Sequence, residues 1–221
     1  MSHKVKVWDL PTRVFHWVLA LAVVTLVVTG QVGGNAMVWH FRLGYLVATL
    51  LLFRLVWGFV GGHWSRFASF VHGPATVLAY LKGQSRPEHE VGHNPLGAGS
   101  VLALLGFLLL QVGTGLFSDD EIAASGPLAK FVSSEVVSRL SFYHSEVGKT
   151  ILIVLVLLHI SAIVFYKLKK KQNLVPPMLH GHKELNHAAT PARDDAASRL
   201  LAAAVWGVFA ALVAWGISAV G

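Results

Sequence analysis

The chain has 221 residues, of which 54% are hydrophobic and only 13% are charged. Soluble domains carry roughly 25% charged residues, so this composition excludes an ordinary soluble domain and indicates an integral membrane protein. No cysteine is present, which excludes disulfides, Cys-ligated iron–sulfur clusters and covalent cofactor attachment through Cys-x-x-Cys-His. The formal charge of +7 is interpreted as basic loops on the cytoplasmic side of a membrane, rather than as a surface for nucleic acid.

Hydropathy predicts five membrane spans. Five apolar stretches each have about 20 residues, the length that a helix needs to cross a bilayer. They cover residues 14–33, 40–60, 98–117, 142–166 and 200–220. The first four are expected to form an all-α integral membrane core over residues 1–170. Residues 171–199 are polar and are predicted to be a flexible cytoplasmic linker, which leaves residues 200–221 as an extra transmembrane helix without an assigned role.

Lysine and arginine are shared unequally between the two sets of loops. Fourteen of the 18 lie in the N-terminal segment, near the end of the second span, in the loop that follows it, and after the fourth span. The positive-inside bias therefore predicts a cytoplasmic N-terminus. With five spans, the C-terminus is then expected on the outer side of the membrane.

The loop between the second and third spans contains a helix signal. Residues 66–82 mix apolar and polar side chains at loosely helical spacing, and a Gly-Pro pair interrupts them. Because proline favours the first position of a helix, a short helix at the membrane interface is predicted to begin at Pro74. His63, His72 and His89, in and around this loop, are expected to be solvated.

Four histidines lie within or at the ends of the spans, where an imidazole is costly and marks a candidate functional site. His16 lies near the cytoplasmic start of the first helix, and His159 lies near the cytoplasmic end of the fourth. Matching depth therefore predicts that His16 pairs with His159. His40 and His144 both open helices on the outer side, so they are predicted to form the second pair. Each pair would give a haem iron two axial imidazoles, the ligation of b-type electron-transfer haems.

A single histidine at a helix end is more often an interfacial hydrogen-bonding group than a ligand. Four histidines that match in depth two by two are poorly explained in that way.

Two glycines follow the outer histidines at equal spacing. Gly44 follows His40 by four residues, and Gly148 follows His144 by four. Each glycine therefore lies on the same helix face as its histidine and would leave room for a flat macrocycle. Close packing between membrane helices is the alternative explanation for the same spacing.

Two arginines share helix faces with the histidines. Arg54 comes 14 residues after His40, which predicts the same face of the second helix at the level of the other haem. Arg13 precedes His16 by three residues and also shares its face. A buried arginine needs an anion, and a haem propionate would supply one. Ordinary snorkelling at the interface is the alternative for both.

Five stretches in order carry a resemblance to a known family. They are VWDLPTRVFHW, HFRLGYL with RLVWGFVG, RFASFVHGPATVLAYLKG, GHNPLGA, and YHSEVG followed by LLHI. Over about residues 7–170 the chain resembles the bacterial cytochrome b561 and nickel–iron hydrogenase b-type cytochrome family. The resemblance implies a four-helix bundle in the bacterial inner membrane with two non-covalent b haems. Its ligand positions correspond to His16, His40, His144 and His159.

The resemblance leaves several polar residues without a ligand role. His93, in the GHNP stretch, is expected to order the start of the third span or to contact a propionate. Gln111 and Thr114 are expected to mediate helix packing, with a quinone pocket as the alternative. The tract His180, His182 and His187 lies in the polar linker and is compatible with metal binding.

The expected function is that of an electron-transfer subunit in a respiratory chain. It would pass electrons between a quinone pool and a periplasmic c-type cytochrome, a dehydrogenase or a hydrogenase. The acidic residues Asp119, Asp120 and Glu121 in an outer loop suit the docking of a basic partner. A homodimer is left open, and no nucleic-acid partner is expected.

Two other functions are weighed against electron transfer to a protein partner. One is a superoxide:quinone oxidoreductase that acts on its own, for which Arg42 and Lys149 flank the outer pair but the acidic loop counts against it. The other is a haem-free transporter that uses the histidines as a proton or metal relay. It would show no haem spectrum.

Overall fold

Helices form nearly all of the regular structure. The computed structural model describes residues 2–122 and 124–220. Its helices are α1 (Leu10–Val32), α2 (Met37–Val60), α3 (Pro74–Leu81), α4 (Pro95–Gly115), α5 (Ser134–Phe142), α6 (Lys149–Leu168), α7 (Val175–His180) and α8 (Ala196–Val220). Two short strands, β1 (His3–Lys6) and β2 (His182–Leu185), pair antiparallel. Within these described residues, five helical segments are long and apolar enough to cross a membrane, which confirms the predicted all-α membrane fold.

Local sequence explains where several helices begin. The Asp9 side chain accepts a hydrogen bond from the Thr12 backbone N–H at 2.8 Å and caps the first turn of α1. Ser133 caps α5 in the same way, through the Val136 backbone N–H at 3.4 Å. The short helix α3 begins at Pro74, as the Gly-Pro pair predicts.

The fourth span begins earlier than hydropathy predicts. Helix α5 continues through a π-helical turn, Tyr143–Gly148, directly into α6. The continuous span therefore covers Ser134–Leu168 rather than residues 142–166. Its added turns are polar, with a 2.6 Å ion pair between Glu135 and Arg139. Apolar content alone does not detect such a polar beginning.

The described residues divide into two compact units. The first unit contains the residues up to His16, Arg54–Ala103 and Leu158–Val205. The second unit contains Trp17–Phe53, Leu104–Leu157 and the residues from Trp206 onward. Helices α1, α2, α4, α6 and α8 each contribute residues to both units.

The first unit has a small apolar core beside its two-stranded sheet. Its buried members are Val5, Val7, Trp8, Trp64, Val91, Leu185 and Ala192. Next to it, the buried Asp194 carboxylate accepts Lys6 Nζ at 3.1 Å and Arg199 Nε at 2.9 Å. The prediction that residues 171–199 form a flexible linker is therefore wrong. Pairing of β2 with β1 and the Asp194 contacts fix this segment to the N-terminal residues.

Asp9 also joins the start of α1 to the end of α2. Its fully buried carboxylate accepts the Gly62 backbone N–H at 2.9 Å and Ser65 Oγ at 2.9 Å. Trp57 Nε1 lies 3.3 Å from both carboxylate oxygens. A buried carboxylate is tolerated when donors surround it in this way. The Trp-Asp-Leu-Pro stretch thus holds the two helices that supply His16 and Arg54 to the first unit.

In the second unit, a tight turn connects the end of α1 to the start of α2. Gly33 (φ 66°) and Gly34 (φ 53°) adopt positive φ angles, which residues with a Cβ rarely adopt.

The loop after α4 is ordered by hydrogen bonds within its own backbone. Gly126 N donates to Ser118 O at 2.7 Å, and Leu128 N donates to Leu116 O at 2.9 Å.

Candidate functional site

Each unit contains a pair of neighbouring histidine rings that come from two different membrane-spanning helices. In the first unit, the ring centroids of His16 and His159 lie 6.4 Å apart, and the ring planes form an angle of 51°. In the second unit, the centroids of His40 and His144 lie 6.1 Å apart, at 86°. The four histidines chosen from their depth in the sequence are thus neighbours two by two.

The ring spacing in both pairs suits a metal ion held between two imidazoles. Metal–nitrogen bonds to histidine are about 2 Å long, and the nitrogen lies about 1 Å from the centre of its ring. Two axial imidazoles therefore have centroids roughly 6 Å apart. The spacing in each pair, 6.4 and 6.1 Å, agrees with this requirement.

Hydrogen-bond acceptors surround Nδ1 of His40. It lies 3.1 Å from the Leu26 carbonyl oxygen and 3.2 Å from Thr29 Oγ1. The Thr29 hydroxyl donates its own proton to the Thr25 carbonyl at 2.8 Å, so it acts as an acceptor toward the ring. Nδ1 must then carry the ring proton, which leaves the lone pair on Nε2 for a metal ion.

His144 has the same surroundings on a different helix. Its Nδ1 lies 2.9 Å from the Gln111 carbonyl oxygen and 3.4 Å from Thr114 Oγ1. The Thr114 hydroxyl donates to the Leu110 carbonyl at 3.0 Å. This imidazole is therefore also held as the Nδ1–H tautomer, the form in which histidine ligates iron through Nε2.

A cavity of about 700 Å³ opens beside the second pair. Its lining includes His40, His144 and Gly44. No atom lies within 4 Å of the position that a Cβ on Gly44 would occupy. The predicted space beside His40 is thus present, and its volume lies in the range of cofactor sites.

Gly148 has different surroundings from Gly44. A Cβ on Gly148 would overlap Oε1 of Gln111, and Gly148 is buried. The Gln111 amide in turn donates through Nε2 to the His144 carbonyl at 2.8 Å. Because Gly148 has no side chain, the Gln111 side chain can occupy the space beside it. The sequence had predicted that a macrocycle would use this space.

Arg54 is buried in the first unit with incomplete hydrogen bonding. Only 3% of the residue is exposed, and its Nη1 has no hydrogen-bond partner among the described residues. The guanidinium lies 5.0 Å from the centre of the Phe67 ring. A buried cation with an unused donor fits an anionic partner such as a haem propionate.

Arg13 is engaged by the protein itself. Its Nη1 donates to the Leu179 carbonyl near the end of α7 at 2.6 Å. Its Nε is buried without a hydrogen-bond partner among the described residues. One edge of this guanidinium thus ties α1 to α7, and Nε is available to a further acceptor.

His93 lies in the first unit, in an aromatic slot. Its ring centroid is 4.7 Å from that of Trp8 and 4.6 Å from that of Phe70. Its Nδ1 is buried without a partner in the described part of the chain. Burial, followed by the positive charge of Arg54, lowers the pKa of His93 to about 3. His159 contributes in the same direction, so His93 is a neighbour of the first pair.

The GHNP stretch orders the start of α4 through Asn94, the residue that follows His93. Asn94 Oδ1 accepts the Gly97 backbone N–H at 2.8 Å, and α4 begins at Pro95. His93 is thereby left with its ring between the two aromatic side chains. The sequence signal for this arrangement was the Asn-Pro pair, a typical cap followed by a typical first residue.

The remaining histidines of the described residues lie outside the five membrane-spanning helices. His180 and His182 have ring centroids 6.2 Å apart, yet no group of three or more His, Asp or Glu side chains suits a metal ion within residues 2–122 and 124–220. The expectation that His89 is solvated is wrong. His89 is buried, accepts the Arg86 backbone N–H through Nδ1 at 3.2 Å, and lies 5.5 Å from the Tyr80 ring.

Comparisons with known proteins give consistent names. A family profile described as prokaryotic cytochrome b561 matches residues 7–181. The chain is 31% identical to the probable Ni/Fe-hydrogenase B-type cytochrome subunit of Azotobacter vinelandii, over 80% of this chain and 87% of that protein. The corresponding subunit of Bradyrhizobium diazoefficiens is 27% identical, over 81% and 86%. The probable Ni/Fe-hydrogenase 1 B-type cytochrome subunit of Escherichia coli K12 is 28% identical, over 51% and 60%. No solved structure matches.

Proposed function

The chain belongs to the prokaryotic cytochrome b561 family, and from this premise we propose that it is the membrane electron-transfer subunit of a nickel–iron hydrogenase. It would exchange single electrons with that partner and with a quinone pool. Two b haems would be held, one by His16 and His159 and one by His40 and His144. The observation that carries the proposal is the spacing of the two ring pairs, 6.4 and 6.1 Å.

When bound, a b haem supplies a one-electron iron couple within the membrane. The protein's residues supply orientation and electrostatics. The Leu26 and Gln111 carbonyls accept the Nδ1 protons of His40 and His144, which fixes each tautomer and raises the basicity of Nε2. In the first unit, the Arg54 charge would balance a propionate.

The contacts of the second unit do not favour superoxide as a substrate. Asp119, Asp120 and Glu121 line the cavity beside the second pair and would repel an anion. The two basic residues nearby are already engaged. Lys149 lies 3.9 Å from Glu146, and Arg42 lies 5.2 Å from the Trp39 ring centre. We therefore retain electron transfer to a protein partner, for which the names of the relatives supply a hydrogenase.

The experiment is reduction of the purified, haem-loaded chain in liposomes that contain a quinone. We expect hydrogen together with the nickel–iron hydrogenase to produce the reduced b-haem absorbance, and the quinone to reoxidise it. The variant His16→Ala should slow quinone-dependent turnover, whereas His180→Ala, a histidine outside both pairs, should behave as the parent. If dithionite reduces the chain but hydrogenase and quinol both fail, the proposed function is wrong.

A further inference from the structure

The two histidines of the second unit are held by the same short segment on two different helices. On α1 the segment is Leu26-Val-Val-Thr29-Gly30, and on α4 it is Gln111-Val-Gly-Thr114-Gly115. Both follow the pattern x-Val-x-Thr-Gly near the C-terminal end of their helix. The repeated pattern is accompanied by repeated contacts.

The first and fourth residues of the pattern supply the acceptors for Nδ1. Leu26 O and Thr29 Oγ1 approach His40, at 3.1 and 3.2 Å. Gln111 O and Thr114 Oγ1 approach His144, at 2.9 and 3.4 Å. Because two acceptors one helical turn apart share one proton, they fix the direction in which Nδ1 points.

The fifth residue supplies the space for the ring. A Cβ on Gly30 would lie 3.2 Å from Cε1 of His40. A Cβ on Gly115 would lie 2.8 Å from Cε1 of His144, closer than unstrained carbons approach. The glycine therefore lets each ring approach the helix closely, and any side chain there would turn or displace it.

We propose that these two Val-x-Thr-Gly segments are imidazole cradles, in which Thr29, Gly30, Thr114 and Gly115 are positioning residues. They hold the planes of His40 and His144 nearly perpendicular, at 86°. In the other pair, within the described part of the chain, Nδ1 of His159 has a serine hydroxyl beside it, Ser100 Oγ at 3.5 Å, and the ring lies at 51° to that of His16. The inference rests on the proposed function, since it takes His40 and His144 as ligands of haem iron.

Perpendicular axial imidazoles leave a spectroscopic signature. Each imidazole interacts with a different iron d orbital of π symmetry, so the two orbitals remain close in energy. The oxidised low-spin iron then gives a strongly anisotropic electron paramagnetic resonance (EPR) spectrum with its largest g value at low field. We expect this signal from the second pair, and a less anisotropic signal from the first.

The test is EPR with redox titration on the haem-loaded full chain. In Gly115→Ala the low-field g value should decrease, the midpoint potential of that haem should shift, and its dissociation constant should rise roughly tenfold or more. Thr114→Val should shift the same signal, and Thr114→Ser should restore it because it returns the hydroxyl. The signal of the other haem should not change.

Matched controls lie on the same helices. Gly113→Ala places a methyl group on α4 where no atom lies within 4 Å, so all of its signals should match the parent. Thr25→Val on α1 removes a hydroxyl whose hydrogen bond, among the described residues, goes to the Leu21 carbonyl at 2.9 Å, and it is the control for Thr29→Val. If Gly115→Ala does not assemble, the milder Gly30→Ala with Thr29→Val decides the question.

The possible outcomes distinguish a failure of the cradle proposal from a failure of the proposed function. If the parent shows two b haems and no low-field signal, or if Gly115→Ala and Thr114→Val match Gly113→Ala in g values and potential, the cradle proposal is wrong and the electron-transfer proposal stands. A parent without any b haem would refute the proposed function itself. A selective change in one low-field signal, rescued by serine, supports both.

Discussion

Two buried polar atoms contribute to the charge environment of the first histidine pair. Nη1 of Arg54 and Nδ1 of His93 are both buried without partners in the described part of the chain, and both belong to the first unit. Unsatisfied buried groups are rare in native proteins because each costs about 1–3 kcal/mol. Two such atoms beside one histidine pair indicate a missing acceptor. We expect that acceptor to be a propionate of the haem at His16 and His159.

Removal of the Arg54 charge should lower the midpoint potential of that haem. In Arg54→Gln, the loss of a buried positive charge should favour the oxidised iron by about 1–2 kcal/mol, the size expected for charges roughly 10 Å apart at an effective dielectric constant of about 20. A redox titration followed by absorbance would measure the shift. Arg54→Lys, which keeps the charge, should recover most of it. An unchanged potential in Arg54→Gln would place the propionates elsewhere.

At the scale of elements, a π-helical turn presents His144. The turn Tyr143–Gly148 interrupts the regular hydrogen bonds of the fourth span, and π turns often occur at functional sites. Gln111 on α4 supplies the replacement contact, because its Nε2 donates to the His144 carbonyl at 2.8 Å. Gly148 permits this contact, since a Cβ there would overlap the Gln111 side chain.

Gly148→Ala should therefore disturb the site through Gln111. The added methyl group displaces the amide and breaks its bond to the His144 carbonyl, which should cost about 1–3 kcal/mol of stability. The double variant Gly148→Ala with Gln111→Ala removes the clash and should cost less than the sum of the two single changes. Thermal unfolding of the detergent-solubilised protein measures all three. Strict additivity would show that the two residues act independently.

The buried carboxylate of Asp194 connects β1 to the start of α8 through its contacts with Lys6 and Arg199. Burial opposes ionisation of Asp194, but hydrogen bonds from Arg199, Lys6 and the Leu10 backbone outweigh it and lower its pKa to about 2. Because the folded pKa lies below the ordinary value of 3.8, this stabilisation is complete above about pH 4. It is lost as the pH falls through about 2.

Asp194→Asn should lower the stability at pH 7 by about 1–2 kcal/mol, since it removes hydrogen bonds to charged groups. The difference between parent and variant should shrink below pH 4 and vanish near the folded pKa of about 2. Asp195→Asn is the matched control, because asparagine keeps the cap on the first turn of α8 and the ion pair that it removes, with Arg193, is exposed. A pH-independent difference would show that the carboxylate charge is not involved.

These elements differ in how far the sequence could predict them. Because helix rise and bilayer thickness are regular, the depths of His16 and His159 in the membrane could be compared from the sequence. The comparison predicted that these two residues pair with each other. The pairing of β1 with β2 joins His3 to Leu185, and no local pattern reports a contact so distant in sequence. The threonine and glycine of each imidazole cradle repeat in the sequence, but that repeat was not predicted to have a role. Their contact with an imidazole required the positions of two helices.

At the scale of the whole molecule, the direction of insertion is predicted from charge and can be tested directly. The chain has no cysteine, so single cysteines can be introduced without a background. Gln84→Cys should react with a membrane-impermeant maleimide only from the cytoplasmic side, and Lys130→Cys only from the periplasmic side. Both positions are exposed. Labelling of both from the same side, or in the reverse order, would contradict the predicted topology.

The central claim is that two pairs of histidines each hold one haem, and a haem count tests it most directly. Pyridine-haemochrome analysis should give two b haems per chain in the parent. His40→Ala and His144→Ala should each leave one haem and lose the same low-field EPR signal. His16→Ala and His159→Ala should each leave one haem and retain that signal. A single haem in the parent would contradict the account, and so would the loss of different signals from two members of one pair.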